Sequence, residues 1–256
     1  MTATLRSVAG ISSRRWRDSQ TGPIASDDEL TLYNALALIV PLIVAIVFHE
    51  VSHGYVASLL GDPTAKERRR LSLNPLRHVD PVGTVILPGL LALVKAPVFG
   101  WAKPVPVIKQ RLRNPRYGMM AVAAAGPASN LVLAAVGAVL LGLLVRGVGD
   151  AQPGEPLRFI ALNLSNFLSI NIFLALFNLL PIPPFDGSHI VEGLLPPRAA
   201  GVYERLRPWG FPLVLFLLIG LPYLIPGFDL VSRVVLPPVQ WLLGHYYALA
   251  EAVAGR

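Results

Sequence analysis

Cysteine is absent from the 256-residue chain, so no disulfide can form, and cysteine usage says nothing about compartment. Charge is scarce as well. Only 14% of residues are Asp, Glu, Lys or Arg against 54% hydrophobic ones, a balance that excludes an ordinary soluble domain of this size. Residues 1–29 lack the apolar core and small-residue cleavage site of a signal peptide and carry "SSRRWRDSQ" instead, so they are expected to form a flexible polar tail. There is neither an internal repeat nor a low-complexity tract. The net charge of +7 does not imply a nucleic-acid partner, because the basic residues lie between apolar segments rather than on a compact polar domain.

What the chain has in quantity is long apolar runs. A bilayer-spanning helix needs about 20 such residues. Segments from about Leu30 to Gly61, Gly118 to Val145, Phe159 to Leu180 and Phe211 to Ile225 meet or approach that length, and a further helix is expected within 230–252. The fold class read from this is an all-α membrane protein, a polytopic helical bundle of about four to six spans. Pro41 is expected to kink the first segment, and Pro237 and Pro238 to interrupt the last. Small residues in "MMAVAAAGPASNLVLAAVGAVLLGLL" allow close helix approach.

The stretch 62–116 differs, being rich in Pro, Gly and Arg. Residues 82–101 are broken by Pro88, Gly89, Pro97 and Gly100 and contain Lys95. The alternation in "VGTVIL" and "KPVPVI" predicts a small re-entrant or β-strand element between the first and second core helices, with an edge on which an extended peptide could add. Of the 22 Lys and Arg, 11 lie in 62–116, which puts this loop and 181–208 on the cytoplasmic side. That arrangement leaves four N-terminal Arg outside; the rival topology makes 82–101 a span.

Chemistry concentrates at two places. "HEVSH", His49 to His53, puts two imidazoles one turn apart on one helix face, a spacing that can hold a zinc ion, with Glu50 placed to act as general base on a water there. Two structural histidines are the alternative, but ionisable groups within a membrane helix cost about 2.5–3.5 kcal/mol each at its centre, and metal ligation offsets that cost most simply. Catalytic zinc sites have three protein ligands. His78 and His245 read as surface or interface residues. The second place is "NLLPIPPFDGSH", Asn178 to His189, where three prolines open the backbone after the third segment. Asp186 there is either a third, anionic ligand or, with Ser188, the N-cap of the next helix.

The stretches "FHEVSHGYVASLLGDPTA", "LNPLRHVDPVGT", "GWAKPVPV", "RNPRYGMMAVAAAGPASNLVLA" and "NIFLALFNLLPIPPFDGS", from about Leu36 to Gly193, resemble the site-2 protease family of intramembrane zinc metalloproteases. The resemblance implies that His49, His53 and Asp186 bind one Zn2+, that Glu50 is the catalytic acid/base, and that Asn178 helps hold the substrate carbonyl or oxyanion. "GPASN", Gly126 to Asn130, matches a family helix motif beside the site and is read as packing first. No function is carried onto His189. The loop 146–158 is too short for the PDZ domain of some relatives, and no C-terminal nucleotide-sensing pair follows, so a compact form is expected, with 30–252 as a single membrane-embedded metalloprotease domain.

The implied activity is hydrolysis of peptide bonds in or near transmembrane segments of single-span membrane proteins, in the cell membrane, with the active site toward the cytoplasm. The alternative is a non-cleaving relative that binds or chaperones membrane clients, a role that has no need of Glu50. An ion transporter would want polar residues along several helices, which the second and third segments mostly lack.

Overall fold

The computed structural model describes residues 27–93, 100–149, 154–225 and 229–255. The expected tail 1–29 lies outside them except for its last three residues. Among the described residues the helices that frame the site are α1 (Asp27–Leu59), α2 (Pro115–Val148), α3 (Glu155–Asn178) and α4 (Asp186–Leu194), with α5 (Leu236–Ala254) last in the chain and shorter helical pieces between them. Four helical stretches are long and apolar enough to cross a membrane: Tyr33–Leu59, Pro115–Val148, Glu155–Asn178 and Pro197–Leu224. Pro41 falls inside α1 without ending it. Pro237 and Pro238 follow directly on a wide π-type turn over Val231–Val235, and α5 runs on past them to Ala254.

The chain divides into two compact units. The described residues of one lie within 27–42, 132–172 and 239–255. Small residues bring its helices together: a Cβ added to Gly142 would lie 2.4 Å from the Ala250 carbonyl, and one on Gly137 would meet Phe167 at 3.0 Å. Ala37, Ala134, Ala138, Leu168 and Ile172 are fully buried in it, and Asn166 donates to the Ala37 carbonyl at 2.9 Å.

The second unit, Ile43–Leu131 with Phe173–Pro238, carries every residue singled out for chemistry above except His245. Its first turn after α1 is tied by Asp62, which is fully buried and accepts from the Thr64 amide at 3.0 Å, the Thr64 hydroxyl, and the Ile108 amide at 2.5 Å. Burial raises the Asp62 carboxyl, but these donors outweigh it and hold the group below its ordinary value.

The expected strands do not occur among the described residues. Residues 81–93 are helical: a wide π-type turn over Pro81–Ile86 runs into a helix over Leu87–Leu93. Asp80 caps it by accepting from the Val82 and Gly83 amides at 3.0 and 2.7 Å, with Pro81 in the first turn. At 13 residues it spans about 20 Å, short of a hydrocarbon core of about 30 Å. Residues 101–108 take no regular secondary structure and form no ladder among the described residues. Pro104 and Pro106 remove alternate amides, so one side of this segment has no donors there. The other amides go elsewhere: Trp101 to the Gly83 carbonyl, Lys103 to the His78 carbonyl at 2.9 Å, and Val105 to Glu50 at 2.8 Å. Among the described residues there is thus no strand for a peptide to join.

Beyond α3 the prolines act as expected. The turn 179–185 is held by Tyr203, whose hydroxyl donates to the Pro181 carbonyl at 2.7 Å, and by Gly210 packed against Pro183. Gly187 closes the turn onto α3's end: a Cβ there would fall 2.2 Å from the Leu179 carbonyl oxygen.

Helix α4 is anchored along its length. Arg116, from the start of α2, donates Nε to the Gly193 carbonyl at 3.0 Å and Nη2 to the Leu195 carbonyl, satisfying the end of the helix. Buried Glu192 pairs with Lys109 at 2.6 Å and with Arg207, whose Nη2 also donates to His189 Nδ1 at 2.9 Å. Burial raises the Glu192 carboxyl, and the two cations overcome this and lower it below the ordinary value. Burial and Arg207 both push His189 down, keeping it neutral. A group whose pKa is depressed on folding contributes stability above its unfolded value, lost as pH falls. Thermal stability in detergent is therefore expected to drop as pH falls from about 4.5, the ordinary glutamate value, through the lowered one. Glu192→Gln should be less stable at neutral pH and should lose part of that pH dependence, read from melting curves across the acid range. A variant with an unchanged acid profile would count against the ion pair as its source.

Candidate metal centre

His49 and His53 lie in successive turns of α1, and both are buried. Each imidazole has its Nδ1 committed. His49 Nδ1 is 2.6 Å from Asn130 Oδ1, and His53 Nδ1 is 2.7 Å from the Val122 carbonyl oxygen. Asn130 Nδ2 donates to the Ala45 carbonyl at 3.2 Å, which orients the amide with its oxygen toward the histidine. Because both Nδ1 partners are acceptors, both Nδ1 atoms carry the proton. Both Nε2 atoms then present lone pairs inward.

Those lone pairs face the carboxylate of Asp186. His49 Nε2 and His53 Nε2 are 3.1 and 3.3 Å from Asp186 Oδ2. One ligand atom from each of the three residues lies within 4.8 Å of the others. Two ligands at about 2.0–2.1 Å on a tetrahedral zinc sit about 3.3 Å apart, which these two separations match. Asp186 Oδ2 is buried and has no hydrogen-bond partner, an expensive arrangement that a cation would relieve. The donor set, two neutral imidazoles and one carboxylate, suits zinc.

Asp186 opens α4 but does not cap it. Phe185 holds the N-cap position with no side-chain cap bond, and the Ser188 hydroxyl donates back to the Phe185 carbonyl at 2.7 Å. The two readings left open by the sequence are separated by where the carboxylate goes, which is toward the histidines.

Glu50, half-buried on α1, accepts from the Val105 amide at 2.8 Å. Asn178 does not join the group in this conformation; its Nδ2 donates to the Leu174 carbonyl at 2.9 Å within α3. Two residues of "GPASN" do more than pack. Asn130 fixes the His49 tautomer, and Gly126 makes room for both rings: a Cβ there would lie 2.5 Å from His53 Cε1 and Nε2 and 2.6 Å from His49 Cε1. The signal available in the sequence was the four-residue step from Gly126 to Asn130, which places both on one face of α2.

Helices apolar enough to cross a bilayer, together with a His–His–Asp group beside a glutamate, have the make-up of a metallohydrolase in a multi-pass membrane protein. The family model for peptidase family M50 matches residues 151–221, the part that includes Asn178 and Asp186. Three relatives carry names as candidate zinc metalloproteases. YwhC of Bacillus subtilis is 41% identical over 186 residues, which cover 71% of this chain and 80% of the relative. Rip2 of Mycolicibacterium smegmatis is 31% identical over 177 residues, covering 69% and 64%. MJ0611 of Methanocaldococcus jannaschii is 32% identical over 163 residues, covering 62% and 73%. No solved structure matches. The chain belongs to peptidase family M50, the site-2 protease family, and as such is a zinc metalloendopeptidase.

Proposed function

We propose that this chain is an intramembrane endopeptidase that cuts peptide bonds in or near the transmembrane segments of single-span membrane proteins. Residues 30–252 act as one membrane-embedded catalytic domain in the cell membrane, with the active site toward the cytoplasm. In this reading His49, His53 and Asp186 hold zinc and Glu50 is the acid/base. The observation that carries it is the convergence of two oriented imidazoles on an otherwise partnerless carboxylate oxygen, on a helix of membrane-spanning length. The cytoplasmic placement rests on the 11 basic residues in 62–116, which the positive-inside bias puts on that side.

Bound zinc supplies Lewis acidity at the scissile carbonyl and acidifies a water molecule. The chain's own residues do the rest. Asn130 and the Val122 carbonyl keep the imidazole Nε2 atoms unprotonated and aimed. Glu50 takes the proton of the attacking water and returns it to the leaving amine, exchanging its bond to the Val105 amide for one to the reacting atoms. Asn178, on releasing the Leu174 carbonyl, is a donor for the oxyanion.

The test is a map of cut positions. The full chain, reconstituted in liposomes with a panel of single-span proteins, is expected to cut within or at the border of the apolar segment, with the products identified by mass spectrometry. Cuts confined to the soluble tails would leave a metallopeptidase but remove the intramembrane assignment.

A further inference from the structure

The loop that follows α1 is built as an ordered projection. Residues 66–80 carry five cations, Lys66, Arg68, Arg69, Arg70 and Arg77, against two carboxylates. Both carboxylates are already engaged: Glu67 pairs with Arg111 at 2.7 Å, and Asp80 caps the helical stretch beginning at Pro81. The loop's shape is fixed from within. Arg77 Nη1 donates to the Arg69 carbonyl at 2.6 Å, Arg70 Nη2 to the Lys103 carbonyl at 2.8 Å, and Asn74 accepts from the Leu76 amide at 3.0 Å. His78, buried at 3% exposure, lies 2.8 Å from the Ser72 carbonyl. Leu71 anchors the loop to α1 by packing over Gly54.

Against that rigid frame two leucines point the wrong way for a water-facing loop. Leu73 is 59% and Leu76 77% exposed, while Leu71, between the same arginines, is tucked in. Single exposed leucines are ordinary. Here two stand together on a braced turn, flanked by Arg68, Arg69 and Arg77, all exposed. The loop also begins within a few residues of Leu59, where the first span ends, so the connecting chain is too short to carry it far from the bilayer surface.

We infer that the turn 68–77 is a docking surface for an anionic lipid leaflet, with Leu73 and Leu76 inserted at the headgroup–acyl boundary and the flanking arginines paired with lipid phosphates. Charge and apolar contact then act together, as they do in interfacial anchors, and each basic residue near an anionic surface changes the docked population about fivefold. This inference is independent of the peptidase reading.

The natural absence of cysteine makes the test direct. Leu76→Cys, and separately Leu73→Cys, is labelled with an environment-sensitive fluorophore in the full chain. It is reconstituted into vesicles of phosphatidylcholine alone and of phosphatidylcholine and phosphatidylglycerol in equal parts. With the anionic lipid, the emission is expected to shift to the blue and to be quenched by spin-labelled lipid, severalfold more than in phosphatidylcholine alone. Raising salt, or combining the label with Arg68→Gln and Arg69→Gln, should reverse the difference. A label that stays in water in both vesicles overturns the inference, as does one equally lipid-quenched in both and indifferent to the arginines. Blue emission without lipid quenching also overturns it, because a protein surface would then cover the leucines.

Discussion

Glu50→Gln is expected to lower peptide cleavage by about 10²–10⁴-fold, the range for losing a general acid–base, while zinc content stays at the wild-type level. The substitution is nearly isosteric, and its amide oxygen can still accept from the Val105 amide, so the local bond that Glu50 makes at 2.8 Å survives. What it cannot do is carry a proton from water to the departing amine. Glu50 lies outside the His49–His53–Asp186 group, so metal retention separates loss of proton transfer from collapse of the site. Cleavage by the purified variant at the wild-type rate would remove Glu50 from the mechanism.

Gly126→Ala is expected to reduce zinc affinity by about 10–100-fold, the range for disturbing the groups that orient metal ligands, and to reduce cleavage with it. One methyl group has this effect because of where it must go. It would sit 2.5 Å from two ring atoms of His53 and 2.6 Å from His49 Cε1, closer than real Cβ contacts come. The rings cannot swing away without breaking their bonds to Asn130 and Val122. Helix α2 cannot back off either without breaking the same bonds, since residues 122, 126 and 130 share one face. Helical content by circular dichroism should be unchanged, because alanine is a better helix former than glycine. Zinc stoichiometry after dialysis against a weak chelator is the measurement, and wild-type retention would sink the argument.

The parts of this site legible in the sequence are those whose partners are local. His49 and His53 announce a shared face through a four-residue spacing, which the helix converts directly into geometry. Asp186 is ambiguous until its partners are known, because an acid ahead of a helix is equally a cap; only contact with α1 decides. The role of Asn130 is illegible, since its partner lies far off in sequence and its own surroundings read as small-residue packing. The strand expectation failed for an identifiable reason. Alternating Val and Pro in 103–107 has the period of a strand but removes half the amides a ladder needs. In 80–93, Pro88 and Gly89 argued against a helix, yet the wide π-type turn over Pro81–Ile86 runs directly into Leu87–Leu93 and the helix continues through Pro88. The first three apolar segments were read to within a few residues, because length and hydropathy alone define them, whereas the fourth, expected from about Phe211, begins at Pro197.

The two halves of the metal group come from opposite ends of the folding core. A nascent chain entering the bilayer makes its histidine pair with the first helix, but the carboxylate arrives only after the third, and the residues that aim the rings arrive with the second. An incompletely inserted copy therefore holds at most a weak two-ligand site without oriented rings. On the proposed reading, the capacity to cut would therefore appear only once the third helix and α4 have joined the first two.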